Sequence, residues 1–346
     1  MAEKLVQAQL ARAAHVAALL TKQNVVACGV GYKISGGQIT DEPSIVVSVS
    51  RKLPIAQLAE RDLVPSTLDG VTTDVFETGV IRAFWPAPPE QHADPVAHPT
   101  SGSQSLGPRD RWRPAPPGVS VGHADITAGT FGCLVQRGTE RLILSNNHVL
   151  ANSNQGQVGD AILQPGRADG GVDADKIAEL ADYIALDFGD GPTGCGAVLA
   201  RLQNALRPSF TEQPAQPGEN LVDAALALPL SDTLVSSEIL EIGVPAGVAE
   251  GTLGADVQKS GRTTGYTSGQ IIQIDVTAQV DYGGPTALFV DQLMANGMSQ
   301  PGDSGSAVLD MERRVVGLLF AGSDSTTLIN PIHAVLETLD VQLVTG

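Results

Sequence analysis

A chain of 346 residues, 42% of them hydrophobic, is long enough for two or three domains, and its apolar content excludes disorder of the whole. Lysine and arginine number 21 against 38 aspartates and glutamates, and the resulting charge of −17 argues against nucleic acid and anionic membrane as partners. Three scattered cysteines, Cys28, Cys133 and Cys195, exclude a disulfide framework or a zinc site, and their odd number suits a reducing compartment.

Residues 3–22 place Leu5, Val6, Leu10, Ala13, Val16, Leu19 and Leu20 at helical spacing, which predicts an amphipathic helix. Strands are expected over 24–33, with a turn at Gly36-Gly37, and then over 44–50 and 71–76, with a short helix over 54–61 opened by Pro54. These elements form a small α+β domain over residues 1–84. Nine prolines between Trp85 and Gly118 then mark an extended linker or surface strap, 85–118, because proline cannot donate to a sheet ladder. His92 and His98 within it lack a third ligand for a metal.

From 119 onward short apolar runs alternate with glycine: 130–135, 142–144, 221–226, 270–276, 287–293, 305–309 and 315–320. With 38 glycines and 22 prolines overall and no long helices between the runs, this is the pattern of β-barrels. Residues 119–230 and 231–346 divide it into two barrels. The last segment, 330–339, changes to helical spacing, with Pro331 at its first turn and Asn330 as a candidate cap. No 18-residue apolar run and no apolar leader is present, so the expectation is a cytoplasmic protein.

Three segments carry chemistry. In Pro301-Gly-Asp-Ser304-Gly-Ser306, Ser304 is a candidate nucleophile. Gly302 lets the backbone turn so that the Gly302 and Ser304 amides can form an oxyanion site, and Gly305 leaves space beside the hydroxyl. Ser145-Asn-Asn-His148 puts a candidate base directly after an apolar strand. Asn220-Leu-Val-Asp223-Ala-Ala places one carboxylate in an apolar run, where it needs a partner such as a histidine N–H. Asp187 is its rival. Asp169, Asp173 and Asp175 read as a solvated acidic loop, because they lack the spacing of a calcium loop.

These three segments, in the order His148, Asp223, Ser304, resemble the chymotrypsin-like (trypsin-like) serine peptidases over residues 119–346. The resemblance implies a mostly β, double six-stranded barrel, here preceded by the α+β domain and ended by a helix. Its implied activity is that of an endopeptidase working through an acyl-enzyme, without metal or cofactor, on a protein or peptide substrate. The residue after His148 is valine, so the disulfide that secreted members close there is absent, and activation by a new N-terminal amine does not fit 118 preceding residues. Gly29-Val-Gly-Tyr-Lys33, Ser50-Arg-Lys-Leu-Pro54, the 68–75 segment and Lys259-Ser-Gly-Arg-Thr-Thr-Gly265 further resemble bacterial trypsin-like proteins related to the plant narrow-leaf protein. That likeness implies a closed homo-oligomer with contacts from residues 1–84. Gly261, Gly265 and Gly269 read as turns bounding second-barrel strands.

The position six residues before Ser304, which is aspartate in members that cleave after lysine or arginine, is Met298 here. With Gly322 on the opposite wall, this implies a specificity pocket for small or medium apolar residues, because an apolar floor does not offset desolvation of a cation. The competing expectation is a catalytically silent or partner-activated regulatory protein on the same scaffold, for example a component of a bacterial defence system.

Overall fold

The computed structural model describes residues 2–35, 38–83, 106–189 and 218–345. The turn at Gly36-Gly37, His92, His98 and Cys195 lie outside the described residues. Helix α1 (Ala2–Leu20) buries Ala8, Ala11 and Leu19 against β1 (Val25–Ser35) and β2 (Gln38–Val49). Strand β2 runs antiparallel to β1, β4 (Val71–Glu77) runs parallel to β2, and β3 (Thr67–Leu68) forms a hairpin with β4. The helix expected over 54–61 is instead two 3₁₀ turns, Ile55–Gln57 and Glu60–Asp62. Neither turn buries a residue, so no apolar face holds a longer helix together.

The N-terminal strands do not stand apart. Strand β1 pairs antiparallel with β16 (Gly265–Asp281) of the second barrel, Ala27 opposite Ala278 and Val30 opposite Ile274. Gly29 and Gly31 permit this approach. A Cβ on Gly29 would lie 2.8 Å from Gln273 and Val276, and one on Gly31 would lie 2.7 Å from the Ile272 carbonyl. The chain then adds β5 (Arg82–Ala83), which touches β16 and the later β19. Of the proline-rich stretch, residues 106–118 lie on the first barrel: the Ser120 amide donates to the Pro108 carbonyl, the Trp112 amide to Gln164 Oε1 and the Gly118 amide to the Phe131 carbonyl.

The first barrel comprises β6 (Ser120–His123), β7 (Gly129–Thr130), β8 (Cys133–Arg137), β9 (Glu140–Ser145), β10 (Ala161–Leu163), β11 (Lys176–Tyr183), and, after the short β12 (Glu219–Asn220), β13 (Ala225–Pro229). Its order is β8-β9-β13-β11-β10-β6-β7, and bonds between Phe131 and residues 118–119 extend the β6–β7 pairing. Val121, Leu134, Ile143, Ile162 and Ile177 fill it. After β14 (Gly247–Val248), the second barrel comprises β15 (Asp256–Gly261), β16, β17 (Thr286–Asn296), β18 (Ala307–Asp310), β19 (Arg314–Gly322) and β20 (Thr326–Pro331). Antiparallel pairs close the ring β15-β16-β17-β20-β19-β18-β15 around Val257, Ile271, Val308, Leu319 and Ile329.

Between the barrels, Leu144 and Leu226 of the first meet Leu309 and Leu318 of the second. The terminal helix α3 (Ile332–Leu339) adds Ile332, Val335 and Leu339 to that layer, and β21 (Gln342–Leu343) returns to pair with β8. The fold is mostly β, with two curled sheets packed face to face between an N-terminal and a C-terminal helix. Two local expectations change. Asn330 does not cap α3, whose cap position is Pro331, and Gly269 is no turn but lies inside β16 opposite Val257. No helix among the described residues is long and apolar enough to cross a membrane.

Candidate active site

His148 follows β9 on a single helical turn, α2 (Asn147–Leu150). The three small polar residues before it each fix that turn. Ser145 Oγ donates to the Thr130 carbonyl, Asn146 Nδ2 to the Asp223 carbonyl, and Asn147 Nδ2 to the Ile184 carbonyl. Asp223 lies just before β13 and not within a strand, in a short loop whose backbone is held at both ends. Besides the bond from Asn146, its amide donates 3.0 Å to Asn330 Oδ1, and Asn330 Nδ2 in turn donates 2.6 Å to Gln292. Asn330 is therefore a brace for this loop.

The structure brings Asp223 and His148 together: His148 Nδ1 lies 2.6 Å from Asp223 Oδ2, and the His148 amide donates to Oδ1 at 3.3 Å. Both side chains are buried, Asp223 completely. A carboxylate so placed needs every lone pair occupied. The third donor is one that sequence reasoning missed: the Tyr282 hydroxyl donates 2.7 Å to Oδ2. Burial, and then the Asp223 charge, push the Tyr282 phenol well above its ordinary value, so it remains a donor. Its ring stands edge-on to His148, with centroids 6.0 Å apart. Asp187 is placed elsewhere, accepting from the Gly189 and Gly218 amides.

Ser304 is buried on the loop entering β18, and its carbonyl accepts 2.7 Å from the Thr130 amide of the first barrel. The loop depends on left-handed glycines. Gly302 has φ +99°, and a Cβ there would lie 2.4 Å from Thr263 Oγ1. Gly305 has φ +92°, and its missing side chain makes room for the Thr130 carbonyl and Ser145 Oγ, a barrel-to-barrel contact, where the sequence suggested space for a ligand. The Gly302 and Ser304 amides donate to no acceptor among the described residues. The Ser304 hydroxyl does not reach the histidine. It donates at 3.4 Å to the Phe320 carbonyl, and His148 Nε2 is buried with no partner among the described residues.

Asp303, beside the serine, is wholly buried. Oδ1 accepts from the Thr263 and Thr264 amides, Oδ2 from the Gln300 amide and the Thr264 hydroxyl, and Lys259 Nζ lies 3.3 Å away, also wholly buried. Burial draws the Lys259 ammonium below its ordinary value, opposed by the Asp303 charge. An ammonium supplied from β15 thus holds the carboxylate that shapes the serine loop. The acidic loop is not simply solvated: Arg262 grips Asp169 through two 2.7 Å bonds across the barrels, and Arg111 pairs with Asp175 at 2.7 Å, whereas Asp173 stays exposed beside Arg167. No group of three potential metal ligands occurs among the described residues.

Met298 and Gly322 line one cavity of about 540 Å³ together with Arg82, Ser299, Ser323 and Asp324. Gly269 has its explanation here: a Cβ on it would lie 2.9 Å from Met298 Sδ.

Residues 1–81 match the family profile of the NARROW LEAF 1 N-terminal domain. No curated protein sequence matches the chain. Among solved structures, Thermobifida fusca Protease A is 19% identical with a TM-score of 0.44, over 67% of this chain and all of that one. Cellulomonas bogoriensis chymotrypsin is 17% identical with a TM-score of 0.43, over 66% of this chain and 98% of its own. Nocardiopsis protease is 17% identical with a TM-score of 0.44, over 67% and 100%. The chain thus joins a closed six-stranded ring to a facing curled sheet, preceded by a segment similar to the NARROW LEAF 1 N-terminal domain.

Proposed function

We propose that this protein is a serine endopeptidase in which Ser304 attacks the scissile carbonyl, His148 takes and returns the proton, and Asp223 orients His148. The observation that carries this reading is the buried His148–Asp223 pair, with Nδ1 committed to the carboxylate and Nε2 left without a partner among the described residues. A buried unsatisfied ring nitrogen is costly, and a serine hydroxyl turned from Phe320 toward it would satisfy it and become the attacking group. The amides of Gly302 and Ser304, without protein acceptors, would hold the oxyanion. Electrons move from Oγ to the carbonyl carbon, then back from the oxyanion as the amine leaves with the proton from His148. Water repeats the sequence to release the acyl group.

The Met298 floor supports cleavage after small or medium apolar residues, although Arg82 and Asp324 also line that cavity. Turnover of single-residue thiobenzyl esters tests both points. Alanine and leucine esters are expected to exceed lysine and arginine esters, and Ser304→Ala is expected to lose at least about four orders of magnitude. Undiminished turnover by folded Ser304→Ala would refute the assignment. The same reading includes a symmetric homo-oligomer built through residues 1–84, supported by the exposed Val6 and Leu10 on α1. Light scattering that returns a monomer at micromolar concentration would remove it.

A further inference from the structure

An extended peptide that is to present a carbonyl to Ser304 needs an unpaired strand edge beside that residue, because its own amides and carbonyls must be satisfied as it leaves water. Strand β19 is the nearest candidate, since the Phe320 carbonyl already receives the serine hydroxyl. One side of β19 is held by β20 from Gly317 to Gly322. On the other side β18 pairs only as far as Leu318, followed by the bonds Gly305 amide to Leu319 carbonyl and Leu319 amide to Ser306 carbonyl. What remains beyond them is the edge of Ala321 and Gly322.

That edge is occupied by the chain itself. Strand β5 pairs with it antiparallel, Ala83 opposite Ala321 and Arg82 opposite Gly322. The segment is docked as a ligand would be. Ile81 and Ala83 are 1% and 2% exposed and pack in one cluster with Phe320, Phe289 and Tyr282, the tyrosine that holds Asp223. The intervening Arg82 is exposed and lines the cavity of Met298 and Gly322, whose wall Ala83 also touches, with its guanidinium 3.6 Å from Asp281. Alternation of buried and exposed side chains over 81–83, on a backbone paired to the strand edge, is how an extended peptide is read. The serine hydroxyl directed at Phe320 and the unpartnered His148 Nε2 accompany this occupied state.

We propose that Arg82–Ala83 is a self-docked strand filling the groove for the substrate residues that precede the scissile bond, so that cleavage of extended peptides requires its displacement. The proposal rests on the peptidase reading above. Only two residues pair along β19, so an incoming peptide replaces few bonds, and small substrates that make no strand pairing bypass the block.

A disulfide between Arg82→Cys and Asp281→Cys, neighbours in the β5–β16 pairing, fixes the strand in place. With that disulfide verified by mass, kcat/KM for a tetrapeptide anilide is expected to fall at least tenfold on oxidation and to recover with reductant. Between the oxidised and reduced forms of this same variant, turnover of a single-residue thiobenzyl ester and fluorophosphonate labelling of Ser304 are expected to differ by no more than about twofold. Equal tetrapeptide turnover in the oxidised and reduced forms would overturn the proposal while leaving the peptidase reading intact. Absence of labelling and ester turnover in both forms would overturn the peptidase reading and the proposal with it. The unmutated protein supplies a second measurement by hydrogen exchange. A tetrapeptide boronate is expected to deprotect the Arg82 and Ala83 amides, whereas a boronate too short to pair is not. Unchanged protection with the long inhibitor bound would contradict displacement.

Discussion

The residues around Asp223 show how one buried charge organises a site. Its carboxylate receives His148 Nδ1, the His148 amide and the Tyr282 hydroxyl, and its backbone is clamped by Asn146 and Asn330. Asp223→Asn keeps this shape but offers an amide that fixes the wrong tautomer, so turnover is expected to fall by about four orders of magnitude in a folded protein. Asp187→Asn, whose carboxylate serves two loop amides, is expected to stay near wild type. Tyr282→Phe removes one charge-assisted bond, which is expected to lower stability by about 1.5–3 kcal/mol. Ester kinetics together with urea titration separate these outcomes, and an inactive Asp187→Asn beside an active Asp223→Asn would reverse the assignment. The candidate histidine and serine are picked out by local sequence alone: polar residues ending an apolar strand, and a glycine turn before another. Tyr282 and Asn330 are not, because each reaches Asp223 only when the barrels fold together, and neither has a local pattern that separates it from an ordinary core or capping residue.

Among the elements, β1 shows why the N-terminal strands could be recognised while their destination could not. The apolar run over 24–33 predicts the strand, but nothing local specifies β16 as the neighbour. A strand of two residues such as β5 carries no periodicity at all. Burial of β1 has a measurable consequence at Cys28, whose thiol is pushed up to about 11 by desolvation, with Arg12 opposing. A thiol harder to ionise in the folded than in the unfolded chain leaves stability complete below the unfolded value near 9 and erodes it as pH rises toward 11. The loss at pH 10 is about 1.4 kcal/mol from this group. Urea titrations at pH 8 and pH 10 are expected to show that increment in the wild type and its absence in Cys28→Ala. An identical pH dependence in both proteins would contradict it.

At the scale of the molecule, two barrels meet along an apolar layer of leucines, and the polar groups that act on one another come from both sides of it. Thr130 of the first barrel fixes the Ser304 carbonyl, Arg262 of the second grips Asp169 of the first, and Asp223 of the first is capped by Tyr282 and Asn330 of the second. The N-terminal strands extend the second barrel and deliver β5 to the edge beside the candidate nucleophile. The measurement that tests this account most directly is mass-spectrometric mapping after treatment of the full chain with a fluorophosphonate. The account predicts a single adduct on Ser304 that is lost in folded His148→Ala. A protein that takes up no label, or an adduct on Ser304 that forms equally fast without His148, would contradict it.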